Sequence, residues 1–363
     1  MEFPTQMAEI SHRVQQVNPE NYVNTRNYKD GAVTYLSPYI SRGVISTRYV
    51  YEHITTLALP WHKSEKLIQE LAWRDYWQQV WIAKGEGIKS DLKHKQAPIS
   101  NYEIPSAVVN ASTTIEVVDE AIEQLYQTGY MHNHMRMYVA SMCCNVANAH
   151  WLAPAKWMYY NLLDGDLASN YLSWQWVAGA FSNKKYYANQ DNINTFFNSS
   201  QKNTFLDIDY EDFQNIDTPT VLTDTVVFDF ETPLSQIDQP VLEKDKTTLI
   251  YNYYNIDPYW YQGEAMQRVF LMEPSFFAEH PVNQHCIDFA IDLTKNIEGI
   301  KIFVGEFSEL QKHVSTDRII FKEHPTNSHY KGREEPREWL SSVTGYFPSF
   351  FAFWKKCKRQ LNS

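Results

Sequence analysis

The densest chemistry in this 363-residue chain lies in LLDGDLASNYLSWQW, residues 162–176. Asp164 and Asp166 flank Gly165, Asn170 follows, and Trp174 and Trp176 enter the next apolar stretch. An Asp-x-Asp opening suits a calcium loop, but an EF-hand needs Gly at its sixth position and Glu at its twelfth, where Ser169 and Gln175 stand. A helix N-cap explains one Asp and leaves a second carboxylate and an amide without a task. Carboxylates, an amide and indoles this close together are suited to lining a pocket for a flat, polar ligand.

Three other segments carry compatible chemistry. In SEKLIQELAWRDYWQQVW, Glu70 and Arg74 lie four apart, with Trp73, Trp77 and Trp81 at helical spacing. Trp81 reads as core, whereas Trp73 beside Glu70 reads as the wall of a site. In TGYMHNHMRMYVAS, Met131, Met135, Val139 and Met142 form an apolar stripe, and Asn133, Arg136 and Met137 share a different face. His132 and His134 point to different sides of that helix, so HNH is neither a nuclease nor a zinc motif. In GAVTYLSPYISRG, Gly31, Thr34, Ser37 and Gly43 surround a proline in a turn whose amides and hydroxyls suit phosphate.

The elements that must position these groups follow from periodicity. Ile115, Val118, Ile122 and Leu125 predict a helix capped by Thr113 or Thr114 and ended by Gly129. Residues 201–246 are acidic, contain Pro219, Pro233 and Pro240, and read as an irregular connector. Beyond it, TTLIYNYY, RVFLMEP, KIFVGEF and RIIFKEHP alternate with helical stretches, the pattern of a small parallel sheet. FPSFFAFWKKCKRQL closes the chain as an amphipathic helix with Lys355, Lys356, Lys358 and Arg359 near its end. The expected fold is α+β and multidomain. Residues 1–200 are all-α, 201–246 the connector, and 247–363 a small α/β, Rossmann-like domain with a C-terminal helix.

Composition narrows the function. Aromatic residues make up 15% of the chain, well beyond ordinary packing needs, and the net charge of −11 disfavours a nonspecific polyanion binder. There is no apolar run long enough to span a membrane and no signal-like N-terminus, so the expectation is a soluble, cytoplasmic protein without a membrane partner. Cys143, Cys144, Cys286 and Cys357 show no CxxC spacing and read as reduced packing residues; no metal site is expected.

Taken in order, YVNTRNYKDGAVTYLSPYISRG, ELAWRDYW, TGYMHNHMRMYVAS and WMYYNLLDGDLASNYLSWQW resemble the flavin-binding domain of the DNA photolyase and cryptochrome family over about residues 20–195. The resemblance implies an all-α domain that holds FAD. Tyr22, Thr34, Leu36 and Ser37 match the segment around the flavin phosphates, and Arg74, Asn133, Arg136, Asp164, Asp166 and Asn170 match positions lining the flavin. An Arg136–Asp164 pair is expected near the ring, with Asn170 at its N5. On the substrate side, Glu70, Trp73, Asn133, Met137 and Trp176 match positions that touch a flipped pyrimidine dimer. Arg26 matches a DNA-contacting arginine, and His134 stands where dimer photolyases commonly carry one.

Trp174 and Trp151 match the first two members of the family's photoreducing tryptophan chain. The third is absent, leaving Tyr102 and Tyr126 between residues 88 and 126, with Trp157 as another exit. The family's α/β antenna domain ordinarily precedes the flavin domain. Here the flavin motifs begin near residue 20, so residues 247–326 are either a displaced, shortened counterpart or a structural or protein-partner module. The implied activity is light-driven splitting of cyclobutane pyrimidine dimers in single- or double-stranded DNA by electron transfer from excited, reduced FAD. A cryptochrome-like photoreceptor signalling through its C-terminal domain is the alternative. A basic rim of Arg26, Arg42, Lys184 and Lys185 is expected around the pocket.

Overall fold

A computed structural model describes residues 2–235 and 238–362, so residues 236 and 237 of the expected connector lie outside the described residues. The chain opens with α1 (Met7–Gln15), α2 (Pro19–Thr25), α3 (Ser37–Ser41), α4 (Thr47–Thr56) and α5 (Trp61–Lys84). A short strand β1 (Ile104–Pro105) precedes α6 (Ser106–Val109), α7 (Glu116–Thr128), α8 (Asn133–Ser141), α9 (Leu152–Asn161), α10 (Leu167–Ala178) and α11 (Gln190–Phe197). Residues 201–246 are mostly irregular and contribute β2 (Thr225–Val226), which pairs antiparallel with β1.

The central element is the 24-residue α5, whose Leu67, Ile68, Leu71, Ala72, Tyr76, Trp77, Val80 and Trp81 are all buried. Its stripe turns over successive turns from one-sided to nearly all-round burial, which places the second half inside the helical layer. α7 buries Val118, Ile122 and Leu125 and ends at Gly129 in the left-handed conformation, φ 68°. Its start differs from the expected threonine cap. The Thr113 amide and hydroxyl both donate to Asp119 Oδ1, at 2.8 and 2.7 Å, so the aspartate fixes the entry. The four cysteines are free and buried, and burial pushes the Cys143 and Cys144 thiols well up.

The second half contains β3 (Thr248–Tyr251), β4 (Gln267–Met272), β5 (Ile300–Val304), β6 (Ile319–Lys322) and β7 (Arg333–Glu335). All neighbours are parallel, in the order β5-β4-β3-β6-β7. β3 and β4 are buried along their whole length, as continuous apolar runs in a covered parallel sheet must be. α12 (Pro274–Glu279), α13 (Gln284–Thr294) and α14 (Phe307–Leu310) make the crossovers, and α15 (Phe350–Leu361) ends the chain.

The two halves share one apolar core. The Met7 amide donates to Asn296 Oδ1 at 2.8 Å, and Asn296 Nδ2 donates to the Thr5 carbonyl at 2.6 Å, tying the N-terminal segment to the end of α13. In return, α15 lies on α5: Phe350 stacks on Trp73 with centroids 3.7 Å apart and planes at 8°, Trp354 faces Trp61 at 6.4 Å and 13°, and Lys358 pairs with Glu65. At the seam, Arg42 is fully buried. Its Nη2 donates to the Gly165 carbonyl, its guanidinium lies 3.6 Å from the Tyr253 ring centroid, and its carbonyl accepts from the Ile256 amide at 2.9 Å. Arg42 is therefore no part of a solvent-facing rim, which corrects that expectation; two tyrosine rings and a carbonyl replace water around its charge.

Candidate functional site

The Asp164–Asp166 loop joins α9 to α10 and is held from three sides. Asp166 is the N-cap of α10, its Oδ1 accepting from the Ser169 amide at 2.7 Å. Its other oxygen accepts from Gln78 Nε2 at 2.7 Å and lies 3.5 Å from Arg74 Nη2. The Asp164 carbonyl accepts from Ser41 Oγ at 2.7 Å, and Arg74 Nη2 also reaches that hydroxyl at 3.0 Å. The expected pair is present, with Arg136 Nη2 2.9 Å from Asp164 Oδ2 and Arg136 Nε held by the Met131 carbonyl at 2.8 Å. Asp164 Oδ1 is buried with no hydrogen-bond partner among the described residues, an unfilled acceptor on the carboxylate that pairs with Arg136.

Around this centre, Asn170 is buried and its amide donates to the Ala155 carbonyl at 2.8 Å. Leu36 is buried before α3, with Thr34 Oγ1 3.4 Å from its amide, and Ser37 is half-buried as the first residue of α3. Burial, with the Glu70 carboxylate nearby, pushes the Tyr22 phenol well up. Glu70 is half-buried and paired with Lys66 at 2.8 Å, one helical turn earlier. Asn133 is exposed at the start of α8, Met137 is half-buried, and Trp176 is 37% exposed. Arg26 is half-buried with Nη1 on the Val23 carbonyl at 2.7 Å, while Lys184 is exposed and Lys185 half-buried.

His134, placed by the resemblance among the DNA-contacting positions in place of an arginine, is buried, with Nδ1 3.0 Å from the Asn27 carbonyl, and burial lowers its pKa. Trp151 and Trp174 are both buried, with Trp151 Nε1 donating to Asp91 Oδ1 at 2.7 Å. His150 lies 5.6 Å from Trp151 and stacks at 5.2 Å on Tyr102, which is 70% exposed. Trp157 Nε1 donates to the Tyr126 hydroxyl at 3.0 Å.

Sequence reading missed Ser41, Lys66 and Gln78. Each lies four residues from a recognised site residue on the same helix, and that spacing was the available signal.

A cavity of about 520 Å³ lies between the helical half and the loops after β3 and β6. Of the expected flavin-lining residues, Arg74 and Asp166 border it. Asp75 lines it too, accepting from the Leu340 amide and the Thr47 hydroxyl at 2.7 and 2.9 Å. Burial pushes the Asp75 carboxyl up to about 6 despite those bonds and the nearby Arg337 and Arg74. An acid whose folded pKa is raised holds its proton longer folded than unfolded, so its contribution to stability is lost as pH rises from about 4 to about 6. Asp75→Asn should flatten that part of the pH–stability curve and raise stability at neutral pH by about 1–2 kcal/mol, read by urea denaturation at several pH values.

The helical half thus carries an Arg136–Asp164 pair whose second carboxylate oxygen is unfilled. Residues 67–210 match the model of the FAD binding domain of DNA photolyase. A deoxyribodipyrimidine photo-lyase of Alkalihalophilus pseudofirmus is 30% identical over 152 residues, covering 39% of this chain and 30% of the relative. A cryptochrome DASH of Danio rerio is 32% identical over 182 residues, covering 48% and 35%. A Synechocystis cryptochrome structure superposes with a TM-score of 0.50 at 25% identity, covering 54% of this chain and 44% of that one. Over this region the chain is similar to the photolyase and cryptochrome family, and FAD is the cofactor of the matched domain. These matches span roughly a third of the length of the two curated relatives. No described helix is long and apolar enough to cross a membrane.

Proposed function

We propose that this protein is a light-driven DNA-repair flavoprotein that splits cyclobutane pyrimidine dimers. The observation that carries the reading is the joint presence of the Arg136–Asp164 pair with its unfilled acceptor and a half-buried Glu70 one turn from Arg74 on α5. A flavin fits this donor set. Its ring imide offers an N–H for Asp164 Oδ1, and Arg74 and Arg136 offset negative charge on the cofactor. When bound, reduced FAD supplies, on illumination, the electron that opens the dimer.

The chain's own groups then do the remaining work. Tyr22, Thr34, Leu36, Ser37, Arg74, Asn133, Arg136, Asp164, Asp166 and Asn170 hold and orient the cofactor. Glu70 and Lys66 hydrogen-bond the reduced dimer, Trp73, Met137 and Trp176 enclose it, and Arg26, Lys184 and Lys185 attract backbone phosphate. Trp174 and Trp151 carry electrons inward. Within this reading residues 1–200 are the flavin domain, 201–246 a connector and 247–363 an α/β module.

The direct test is illumination of the photoreduced protein with an oligonucleotide containing one thymine dimer, following dimer loss by chromatography against a dark control. Glu70→Ala is expected to keep its flavin and lose about tenfold or more in repair yield, the scale of about 1.4 kcal/mol in the barrier. An intact dimer after illumination of reduced wild-type protein would reject repair. A photoreceptor is the second reading, favoured by the Phe350 ring that already covers one face of Trp73 and links the site to the C-terminal helix.

A further inference from the structure

Trp174 and Trp151 are both buried, so electrons bound for the flavin need a way in from solvent to Trp151. Tyr126 and Tyr102 reach the surface, and their surroundings differ. Tyr126 is 39% exposed, and its hydroxyl donates to the Val109 carbonyl at 2.6 Å. A phenol is protonated at neutral pH and gives up an electron readily only as that proton leaves, which a backbone carbonyl cannot accept. The ring beside Tyr126 is Trp157, whereas the ring neighbours of Trp151 among the described residues are His150 and the buried Tyr171.

Tyr102 is 70% exposed, so water can take its proton. Its ring stacks on His150 at 5.2 Å and 29°, and His150 meets Trp151 at 5.6 Å and 34°, separations of packed aromatic pairs. The result is a file of rings running from a fully buried indole to solvent. Backbone bonds hold it in line, the His150 amide donating to the Asn101 carbonyl at 2.9 Å and the Ser100 amide to the Asn148 carbonyl at 2.8 Å. Asp91 joins from the side: its Oδ1 accepts from Trp151 Nε1 at 2.7 Å and lies 3.7 Å from His150 Nε2. His150 Nδ1 accepts from the Leu152 amide at 3.3 Å, which puts the ring proton on Nε2, toward that carboxylate. Burial lowers the His150 pKa against the pull of Asp91, so the middle ring is neutral. An indole that loses an electron becomes a cation, and a carboxylate on its N–H stabilises that charge most strongly where water is scarce.

We propose that Tyr102 is the entry point for the electrons that photoreduce the flavin, with His150 as the bridging ring and Asp91 as the counter-ion of oxidised Trp151. Trp174 gives one electron to the excited, oxidised flavin and is refilled by Trp151. Trp151 takes an electron from Tyr102 across the His150 ring, and Tyr102 releases its phenolic proton to water as it is oxidised. A soluble thiol then returns a hydrogen atom, one electron and one proton, to the Tyr102 oxygen and is itself oxidised. The proposal rests on the flavin reading and on the inward path through Trp174 and Trp151.

The test is blue-light photoreduction of the oxidised, FAD-loaded full chain in excess thiol, with a nitroso spin trap in a parallel sample and the adduct located by peptide mass spectrometry. Wild-type protein should carry the adduct on Tyr102. Tyr102→Phe should photoreduce about tenfold more slowly and lose that adduct, and His150→Leu should slow the reaction similarly with Tyr102 in place. Tyr102→Trp should restore the rate and move the trapped radical from a phenol to an indole, a change that a structural role would not produce. Tyr126→Phe should photoreduce at the wild-type rate. A wild-type rate in Tyr102→Phe, or an adduct on Tyr126 instead, overturns the proposal and leaves flavin binding intact. Wild-type protein that binds FAD and fails to photoreduce also overturns it. Protein reduced chemically in the dark bypasses the relay, so its repair of a thymine dimer decides the repair reading by itself.

Discussion

Asp164→Ala is expected to purify without flavin colour. The substitution strips Arg136 of its carboxylate at 2.9 Å while leaving the guanidinium only 20% exposed, and it deletes the unfilled acceptor beside it. Breaking a buried pair from one side costs about 3–5 kcal/mol, because the remaining charge is neither solvated nor paired. That cost should appear in the thermal melt, while loss of the unfilled acceptor and of the carboxylate that orients Arg136 should weaken FAD by about tenfold or more, about 1.4 kcal/mol. Asp164→Asn preserves shape without charge and should fall between. The readout is bound flavin per chain by visible absorbance, with a thermal melt for folding; a variant retaining wild-type flavin content would remove Asp164 from the cofactor site.

The other large effect is expected at Gly43, where the halves meet. Its φ is +65°, and a Cβ built there would stand 2.4 Å from the Tyr254 carbonyl oxygen and 3.1 Å from the Asn255 Cα. Both neighbours are backbone, so relief requires the loop after β3 to back away. Gly43→Ala should therefore destabilise by about 3 kcal/mol or more, the strained φ contributing about 1 kcal/mol and the clash the rest. Gly299→Ala is the internal comparison, since Gly299 has φ +68° with nothing within 4 Å of an added Cβ. Equal urea midpoints for the two variants would show that the seam yields easily and that close approach at Gly43 has no energetic weight.

The sequence revealed chemistry carried by neighbours on one element. Glu70, Trp73 and Arg74 announce themselves on α5, Asp164 to Asn170 on a single loop and helix start, and the parallel strands in their apolar runs. Contacts made across the chain stayed hidden. Arg42 has the local look of a surface cation after a turn, and only the arrival of Tyr253 shows that it is buried. His134 reads as a polar helix residue until Asn27 and Phe196 close over it. Nothing near Trp73 in sequence points to Phe350, because a ring stack between α5 and α15 leaves no periodic trace in either helix.

The crossed ends of the chain change what a cut would do. The N-terminal segment is fastened to the α/β half through Asn296, and the last helix to the helical half through Trp73, Trp61 and Glu65. Each half thus keeps hold of a piece of the other, in addition to the connector, whose β2 pairs with β1 and whose Thr232 hydroxyl accepts from the Val282 amide. A molecule clipped once in that stretch would remain a two-piece clasp with one melting transition. A chain truncated there would have lost the last helix from the back of α5, leaving Trp73 uncovered.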